Sequence, residues 1–381
     1  MFKRLWWPFT DYFRDTDKPL ILTCLAATLF GCVAVLSTTA YTGSRRQFIV
    51  QFAAMIIGLG LAVAISLYDY SGFKKSGKYI AAFALILVGL TFVIGVAPEG
   101  TDAKAWIELP IINLTFQPAE LLKIAFVITF SLHLSALKEN INKPLYLLTL
   151  LVHGAIPIAI IHFQGDDGTA IIFGIIMIAM LLAAGLKWRY FAIMGGLAAA
   201  AAPVLYFFVL SSYQKERILA MFDLEADLQG IGWQQWRGRM ALANGGFFGQ
   251  GLFNGQLTQA GPKNGGVPEG YNDFIFVSIG EETGFLGCFI VIALLAVICF
   301  LVLNVAKNSR DLQGRYLCAG IFAIFISQII INLGMCLSVL PVIGVTLPFF
   351  SAGGTSLVVT YVSIGIVLSV YMHKSSRVLL G

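Results

Sequence analysis

Charge is scarce in this 381-residue chain, where charged residues make up 12% of the sequence and hydrophobic residues 58%. Soluble domains carry about twice that share of charge, so the composition excludes an ordinary soluble protein. Apolar runs long enough to cross about 30 Å of hydrocarbon recur along the whole chain. Because backbone hydrogen bonds must be closed internally in lipid, these runs predict helices rather than barrel strands.

We therefore predict an all-α integral membrane protein with about ten transmembrane helices. A large extracytoplasmic loop, about residues 211–272, separates the seventh and eighth helices. No linker rich in proline, serine or charge divides the chain and no internal repeat is found, so residues 1–381 are predicted to form one polytopic domain. The predicted helices cover residues 19–37, 48–68, 79–97, 118–137, 146–163, 168–186, 190–210, 273–306, 317–340 and 354–372.

The chain has only six cysteines, and their spacing suggests no pairs: all six lie in apolar runs, and none forms a CxxC motif. The pattern argues against disulfides and against a structural zinc site. The first apolar run lacks a small-residue cleavage site, and we interpret it as a retained anchor. The net charge of +5 shows no nucleic-acid-binding pattern, so nucleic acid is not an expected partner.

Basic residues are unevenly divided between the two sides of the predicted membrane. The short loops of one side contain only Arg45, Arg46 and Lys104, and the other side holds most of the remaining lysines and arginines. Positive charge in short loops marks the cytoplasmic side. Both termini are therefore predicted to be cytoplasmic, which agrees with an even number of helices and places residues 211–272 outside.

The segment 268–276 puts Asp273 at the first turn of the eighth helix, directly after a polar loop. A carboxylate at that depth is half shielded from water and suits a general base. Glu281 and Glu282 follow on the same helix, but Glu281 lies roughly 12 Å from Asp273, beyond the spacing of a two-carboxylate glycosidase. We therefore predict a single base, with both glutamates bound to neighbouring helices or backbone.

Glu120 and Lys123 lie three residues apart on one face of the fourth helix. An isolated charge at a bilayer centre costs about 2.5–3.5 kcal/mol, so we expect the two groups to neutralise each other. Two roles stay open for the pair. It is either a structural ion pair between helices, or Lys123 contacts an anionic head group while Glu120 holds it in place.

Two further outer segments carry polar groups. In residues 164–170, Asp166 or Asp167 is placed to cap the sixth helix, and the two acids together also permit a divalent cation near a phosphate. Residues 341–356 predict non-helical backbone at the membrane surface, which requires either a cavity or re-entrant packing.

The long loop contains three arginines, Arg217, Arg237 and Arg239. Forked guanidinium groups can hold a diphosphate, and a solvated basic face is the alternative. Met240, Ala241 and the residues around them predict a short amphipathic helix, which a glycine-rich turn follows.

Seven of these segments, in this order, resemble the SEDS family, which comprises RodA, FtsW and a sporulation relative. The matching segments are residues 117–123, 164–170, 213–217, 245–251, 268–276, 280–284 and 347–356. Each motif alone is weak, but seven in the same order and on the expected membrane face are specific. The resemblance covers nearly the whole chain.

The resemblance implies a bacterial peptidoglycan glycosyltransferase that polymerises lipid II into glycan strands outside the cytoplasmic membrane, with inversion and release of undecaprenyl diphosphate. The resemblance does not imply a definite cofactor, but it allows a divalent cation (Mg or Mn) near the diphosphate. The implied partners are a class B penicillin-binding protein and the elongation complex. By the resemblance, the catalytic residue is Asp273 and the substrate-binding residues are Glu120, Lys123, Arg217, Glu269, Lys104 and Asp166.

Residues 15–18, 69–70 and 332–335 favour the elongation branch of the family. The chain departs from the usual family pattern at Tyr271 and Asn272, next to the predicted base. A division or sporulation enzyme is an alternative within the family. A lipid II flippase and a scaffold that only recruits the transpeptidase are alternatives of other classes, although the charges crowd the outer third rather than the full depth that a transporter needs.

Overall fold

The computed structural model describes residues 12, 14–97, 103–109, 114–210, 212–219 and 231–374. The helices are α1 (Lys18–Thr38), α2 (Arg46–Ser66), α3 (Phe73–Ile94), α4 (Pro118–Leu137), α5 (Pro144–Phe163), α6 (Asp167–Ala183), α7 (Trp188–Val204), α8 (Ser212–Leu219), α9 (Ile231–Gly245), α10 (Gln256–Ala260), α11 (Ile275–Lys307), α12 (Leu312–Cys336) and α13 (Gly354–Met372). Two short strands, β1 (Ile107–Leu109) and β2 (Leu114–Phe116), precede α4.

Within these residues, nine helices are long and apolar enough to cross a membrane. The one predicted span that is not among these nine is the sixth, residues 168–186, which corresponds to α6. This helix has 17 residues and is about 26 Å long at 1.5 Å per residue, a little less than the hydrocarbon thickness. The predicted class, an all-α membrane protein, is confirmed. The short helix that the sequence predicts around Met240 is also present, as α9.

The bundle has two distinct ends. One end carries α8, α9 and α10, and we call it the loop end. At the other end α1 begins and α13 finishes, and we call it the terminal end. Asp273 lies at the loop end, two residues before α11 begins.

Small residues let helices pack closely inside the bundle. A Cβ atom on Gly365 of α13 would lie 2.8 Å from the Cα atom of Ala62 in α2, so the two backbones touch there. Tyr361 of α13 is buried, and its hydroxyl hydrogen-bonds the Thr28 hydroxyl of α1 at 2.8 Å. Such close approach is the usual way for apolar helices to associate in lipid.

The longest helix, α11, is broken at Gly284, where φ is 69° and ψ is −164°. The glycine-rich turn of the loop fills the break: Gln250 N donates to Glu281 O at 2.9 Å, and Phe285 N donates to Gly246 O at 2.9 Å. From Phe285 to Lys307 the helix is about 34 Å long, enough to cross a bilayer alone. The residues of α11 before Gly284, and Asp273 before them, are therefore not needed for a crossing.

The two glutamates of α11 hold the loop in place, as the sequence predicted. Glu281 accepts hydrogen bonds from Leu257 N at 2.9 Å and from Thr258 N at 2.7 Å. Glu282 accepts from Gln259 Nε2 at 2.8 Å and from the hydroxyl of Ser37 in α1. Both carboxylates are buried and committed to protein partners, which agrees with the prediction that neither is a second catalytic acid.

A β-hairpin that the sequence reasoning missed lies just before α4. β1 and β2 pair antiparallel, with Ile107 opposite Phe116. Thr355, in the first turn of α13, donates its hydroxyl to Thr115 O at 3.1 Å. The hairpin therefore connects the start of α4 to the start of α13 at the loop end.

Candidate active site

Asp273 lies in a tight turn rather than in the first turn of a helix. The sequence predicted a helix from residue 273, but α11 begins at Ile275 and Phe274 occupies its N-cap position. Glu269 has a positive φ of 50°, and its carbonyl accepts from Phe274 N at 3.1 Å. The reversal of the chain at Glu269 thus presents Asp273 at the mouth of the helix.

Backbone hydrogen bonds anchor this turn to two other parts of the bundle. Asn332 of α12 donates through Nδ2 to Asp273 O at 2.8 Å and to Val345 O at 2.7 Å. Ser351 donates its hydroxyl to Asn272 O at 2.8 Å. The position of Asp273 is therefore fixed through its main chain, and its carboxylate is not used as an anchor.

The Asp273 carboxylate accepts no hydrogen bond from the residues that the structure describes. One of its oxygens, Oδ2, lies 3.5 Å from the place that a Cβ atom on Gly344 would take. Gly344 has a φ of 67°, a conformation that glycine adopts at little cost. The absence of a side chain there leaves room beside the carboxylate.

The surroundings of Asp273 bring the pKa of its carboxyl close to neutral pH. Burial, followed by the nearby charges of Glu269 and Asp166, raises the pKa of Asp273 from 3.8 to about 7. A general base is most effective when its pKa lies near the operating pH. Asp273 thus combines a fixed position, a free carboxylate and a suitable pKa.

Asp166 caps α6, one of the two roles predicted for the 164–170 segment. Its Oδ1 accepts from Thr169 N at 2.9 Å, and its Oδ2 accepts from Gln117 Nε2 at 2.9 Å. Burial raises the pKa of Asp166, and hydrogen bonds from Thr169 partly oppose the rise. The start of α6 also packs on the segment beside Asp273, since a Cβ atom on Gly168 would meet Ile343 O at 2.5 Å.

Glu120 and Lys123 form the expected ion pair, with Nζ and Oε1 2.8 Å apart. The Lys123 side chain is 1% exposed and that of Glu120 10%. A cavity of about 10 Å³ adjoins the pair, also lined by Gln328 and Thr360, and it is barely large enough for one water molecule. The structure thus shows the ion pair, and contact of Lys123 with a head group stays a prediction.

The remaining predicted binding residues are spread around this end of the bundle. Lys104 is exposed, and it follows Ala103, which packs beside Gly165 in the turn between α5 and α6. Glu269 is exposed and accepts from Asn272 Nδ2 at 2.7 Å. Arg217 belongs to α8, but its side chain lies outside the described residues.

Of the two other loop arginines, Arg239 is exposed. The guanidinium of Arg237 lies 4.2 Å from the ring centroid of Trp233 and 5.4 Å from that of Trp236. Stacking on aromatic rings is a typical environment for arginine. The structure thus gives Arg237 a packing role, and a diphosphate contact from it stays a prediction.

The two adjacent aspartates, Asp166 and Asp167, have separate hydrogen-bond partners. The carboxylate of Asp167 hydrogen-bonds His162 Nδ1 at 2.6 Å and the side-chain amide of Gln214 in α8. The carboxylate of Asp166 accepts hydrogen bonds from Thr169 and Gln117 instead. In the part of the chain that the structure describes, no group of three or more His, Cys, Asp or Glu is arranged to hold a metal ion. Magnesium is usually held by one or two carboxylates together with substrate phosphates, so the divalent cation that the resemblance offered as an option stays a prediction.

The match to protein-family models decides the family. Residues 18–376 match the model described as "Cell cycle protein", which joins FtsW, RodA and SpoVE. The chain belongs to this family. The SEDS resemblance drawn from the seven motifs is thereby confirmed, and the protein is a multi-pass membrane protein.

Curated members of the FtsW/RodA/SpoVE family resemble the chain over nearly its full length. The probable peptidoglycan glycosyltransferase FtsW of Geobacter sulfurreducens is 32% identical, over 93% of this chain and 94% of the relative. The peptidoglycan glycosyltransferase MrdB of Escherichia coli K12 is 28% identical, over 94% of each. Proteins named FtsW and proteins named MrdB are thus both similar to this chain.

Solved structures show the same fold. A chain from a peptidoglycan synthase complex that coordinates polymerization and crosslinking superposes with a TM-score of 0.81 at 23% identity, covering 94% of this chain and 98% of that one. The rod shape determining protein RodA of Thermus thermophilus gives a TM-score of 0.69 at 23% identity, with the same coverage.

Sequence reasoning missed three contributors to the site. Asn332 positions the Asp273 backbone, Gly344 leaves space beside its carboxylate, and Gln117 bonds Asp166. A lone asparagine within the apolar run of α12 is a signal that could have pointed to the first, because polar groups inside a membrane are costly without a partner. Gln117 and Gly344 lie in segments that the sequence motifs cover, 117–123 and 341–356, but nothing near them in the sequence shows which groups they contact.

Proposed function

We propose that this protein is a peptidoglycan glycosyltransferase that polymerises lipid II on the outer face of the bacterial cytoplasmic membrane. The observation that carries the proposal is the Asp273 carboxylate, which is fixed through its backbone, accepts no hydrogen bond from the described residues and has a pKa of about 7. The names of the similar FtsW and MrdB proteins support the same activity.

Asp273 takes the proton from the 4-hydroxyl of the acceptor sugar in the proposed reaction. The resulting oxygen nucleophile attacks the anomeric carbon of the donor, the bond to the diphosphate oxygen breaks, and undecaprenyl diphosphate leaves with inversion of configuration. General base catalysis of this kind contributes typically 10²–10⁴-fold to a rate. Lys104 and Arg217 are proposed to stabilise the negative charge of the leaving diphosphate.

The acidic groups near the base suit the acceptor side of the site. Asp166 and Glu269 both raise the pKa of Asp273 through their charges, and neither would stabilise a diphosphate. We therefore assign the space near Gly344 to the acceptor sugar and the basic residues to the donor diphosphate. Glu120 and Lys123 would support this arrangement from within α4.

The proposal extends to the setting of the enzyme. Both termini are proposed to be cytoplasmic, from the distribution of basic residues between the loops. The partner is proposed to be a class B penicillin-binding protein within the elongation complex, supported by the similarity to a chain from a peptidoglycan synthase complex.

The test supplies labelled lipid II to the purified protein with its transpeptidase partner and measures glycan chains. We expect Asp273→Asn to abolish polymerisation, because the amide cannot take a proton. Glu108→Gln, which changes an exposed carboxylate on β1, is the matched control and is expected to leave the rate unchanged. Lipid II movement across vesicles without polymer would contradict the proposal and favour a flippase.

A further inference from the structure

A cavity of about 300 Å³ lies at the terminal end of the bundle, far from Asp273. It is formed by the residue that caps α1, the last two turns of α11 and the end of α13. Asp17, Asn304, Asn308 and Lys374 supply its polar wall, and Leu301 and Val370 are among its apolar residues. Its volume reaches the lower end of the range for small-molecule sites.

Two opposite charges line this cavity without pairing. Asp17 is buried and accepts a hydrogen bond from Leu20 N at 3.1 Å, but no salt bridge joins it to another described residue. The ammonium of Lys374 lies 3.8 Å from the ring centroid of Tyr371, and it too has no carboxylate partner in the described part of the chain. Each charge is therefore available to a ligand that carries the complementary charge.

The two asparagines add a free donor and a free acceptor. Asn308 Nδ2 donates to Asn304 O at 2.9 Å and to Asn304 Oδ1 at 3.0 Å. Within the described residues, Asn304 Nδ2 and Asn308 Oδ1 have no hydrogen-bond partner. The wall of the cavity thus offers both kinds of hydrogen bond as well as both charges.

The level of the cavity indicates the kind of ligand. Its polar residues stand at the ends of membrane-spanning helices, where lipid head groups lie, and Leu301 and Val370 stand one to two turns further into the bundle. An anionic head group would use Lys374 but would meet the unpaired carboxylate of Asp17 without a counter-charge. A zwitterionic head group satisfies both.

We propose that this cavity binds the head group of a zwitterionic aminophospholipid, such as phosphatidylethanolamine. The phosphate faces Lys374, the ammonium faces Asp17, and the first acyl carbons follow Leu301, which is partly exposed, into the bilayer. The site is separate from the loop end, so the inference does not depend on the proposed glycosyl transfer.

The test is native mass spectrometry of the full-length protein equilibrated with equal amounts of phosphatidylethanolamine and phosphatidylglycerol. We expect the wild type to retain phosphatidylethanolamine selectively. Asp17→Asn keeps the helix cap, because asparagine is also a good N-cap residue, but we expect about a tenfold loss of that selectivity, the scale of one charge-assisted hydrogen bond. Lys374→Gln removes the contact to the phosphate, which both lipids carry, so we expect weaker retention of both lipids with the preference kept.

Lys307→Gln is the matched control, since this exposed lysine lies at the end of α11 outside the cavity. It is expected to leave both the retention of the two lipids and the selectivity unchanged. Thermal unfolding gives a second measurement, because a lipid that binds only the folded state raises Tm with its concentration. Equal retention of both lipids by the wild type, an unchanged preference in Asp17→Asn, or no bound lipid because the chain's own termini fill the cavity would each overturn the proposal.

Discussion

The buried ion pair in α4 gives the sharpest test of how charge is held inside this bundle. Lys123→Met removes the ammonium and leaves the Glu120 carboxylate buried beside an apolar side chain. Glu120→Gln does the reverse and leaves the Lys123 ammonium without its counter-charge. The double variant removes both charges at once.

The expected magnitudes follow from burial. With Nζ and Oε1 2.8 Å apart, Lys123 1% exposed and room for barely one water molecule, water cannot replace a lost partner. Removing one member of such a pair costs about 3–5 kcal/mol, whereas replacing the whole pair by packed uncharged groups is often neutral. We therefore expect each single variant to lose about 3–5 kcal/mol of unfolding free energy, and the double variant to lose much less than their sum.

The assay is reversible unfolding of the purified protein by SDS in lipid bicelles, followed by tryptophan fluorescence. Lys187→Met, which changes an exposed lysine between α6 and α7, is the control and is expected to change the unfolding free energy by less than about 0.5 kcal/mol. Small losses of unfolding free energy in the two single variants, together with a loss in the double variant equal to their sum, would refute the reasoning. Unchanged stability together with weaker binding of a lipid diphosphate would instead assign Lys123 to the head-group contact.

Four further outcomes are expected. Because the pKa of Asp273 is raised to about 7, polymerisation should fall about tenfold per unit below pH 7 and level off above it, whereas a rate flat from pH 5 to 8 would contradict the assignment. A carboxyl whose pKa rises on folding stabilises the folded state at pH values below its pKa in the unfolded chain, and this contribution is lost as the pH rises through 7. Denaturant titrations between pH 5 and pH 8 should therefore show Asp273→Asn gaining stability relative to the wild type. Glu281→Gln should lose about 1–3 kcal/mol, since an amide nitrogen cannot accept from the loop N–H groups, while the exposed Glu216→Gln should match the wild type. Gly284→Ala places a Cβ 2.3 Å from Gly249 N and should detach the loop, detected as faster proteolysis of the loop, while Gly89→Ala, with nothing within 4 Å, should stabilise a helix by about 0.5–1 kcal/mol.

Local features of the site were predictable because neighbours in sequence create them. The Glu120–Lys123 pair follows from a spacing of three residues on a helix, and the Asp166 cap follows from an acid placed before an apolar run. The partners of Glu281 and Glu282 were predicted in kind, as backbone or neighbouring helices, because a buried carboxylate needs donors. Which donors they found depended on the fold.

The break in α11 shows where sequence patterns fail. Residues 273–306 form one apolar run, from which a single continuous helix is predicted. The left-handed conformation of Gly284 exists because the turn at Gly246 and Gln250 supplies the missing hydrogen bonds from far along the chain. Hydropathy does not record such contacts, so it could not show that residues 285–307 form a separate segment long enough to cross a bilayer.

The sequence by itself determined that this is a helical membrane protein of the FtsW/RodA/SpoVE family with one acid at the mouth of a long helix, since hydrophobic length, charge distribution and ordered motifs are read along the chain. Only the tertiary structure decided the surroundings that suit Asp273 to its proposed role as a base. Its backbone is held by Asn332 of another helix, Gly344 leaves its carboxylate open, and Glu269 and Asp166 raise its pKa. The physical reason is that burial and electrostatic coupling depend on distances in space, and folding brings these residues together from separate parts of the chain.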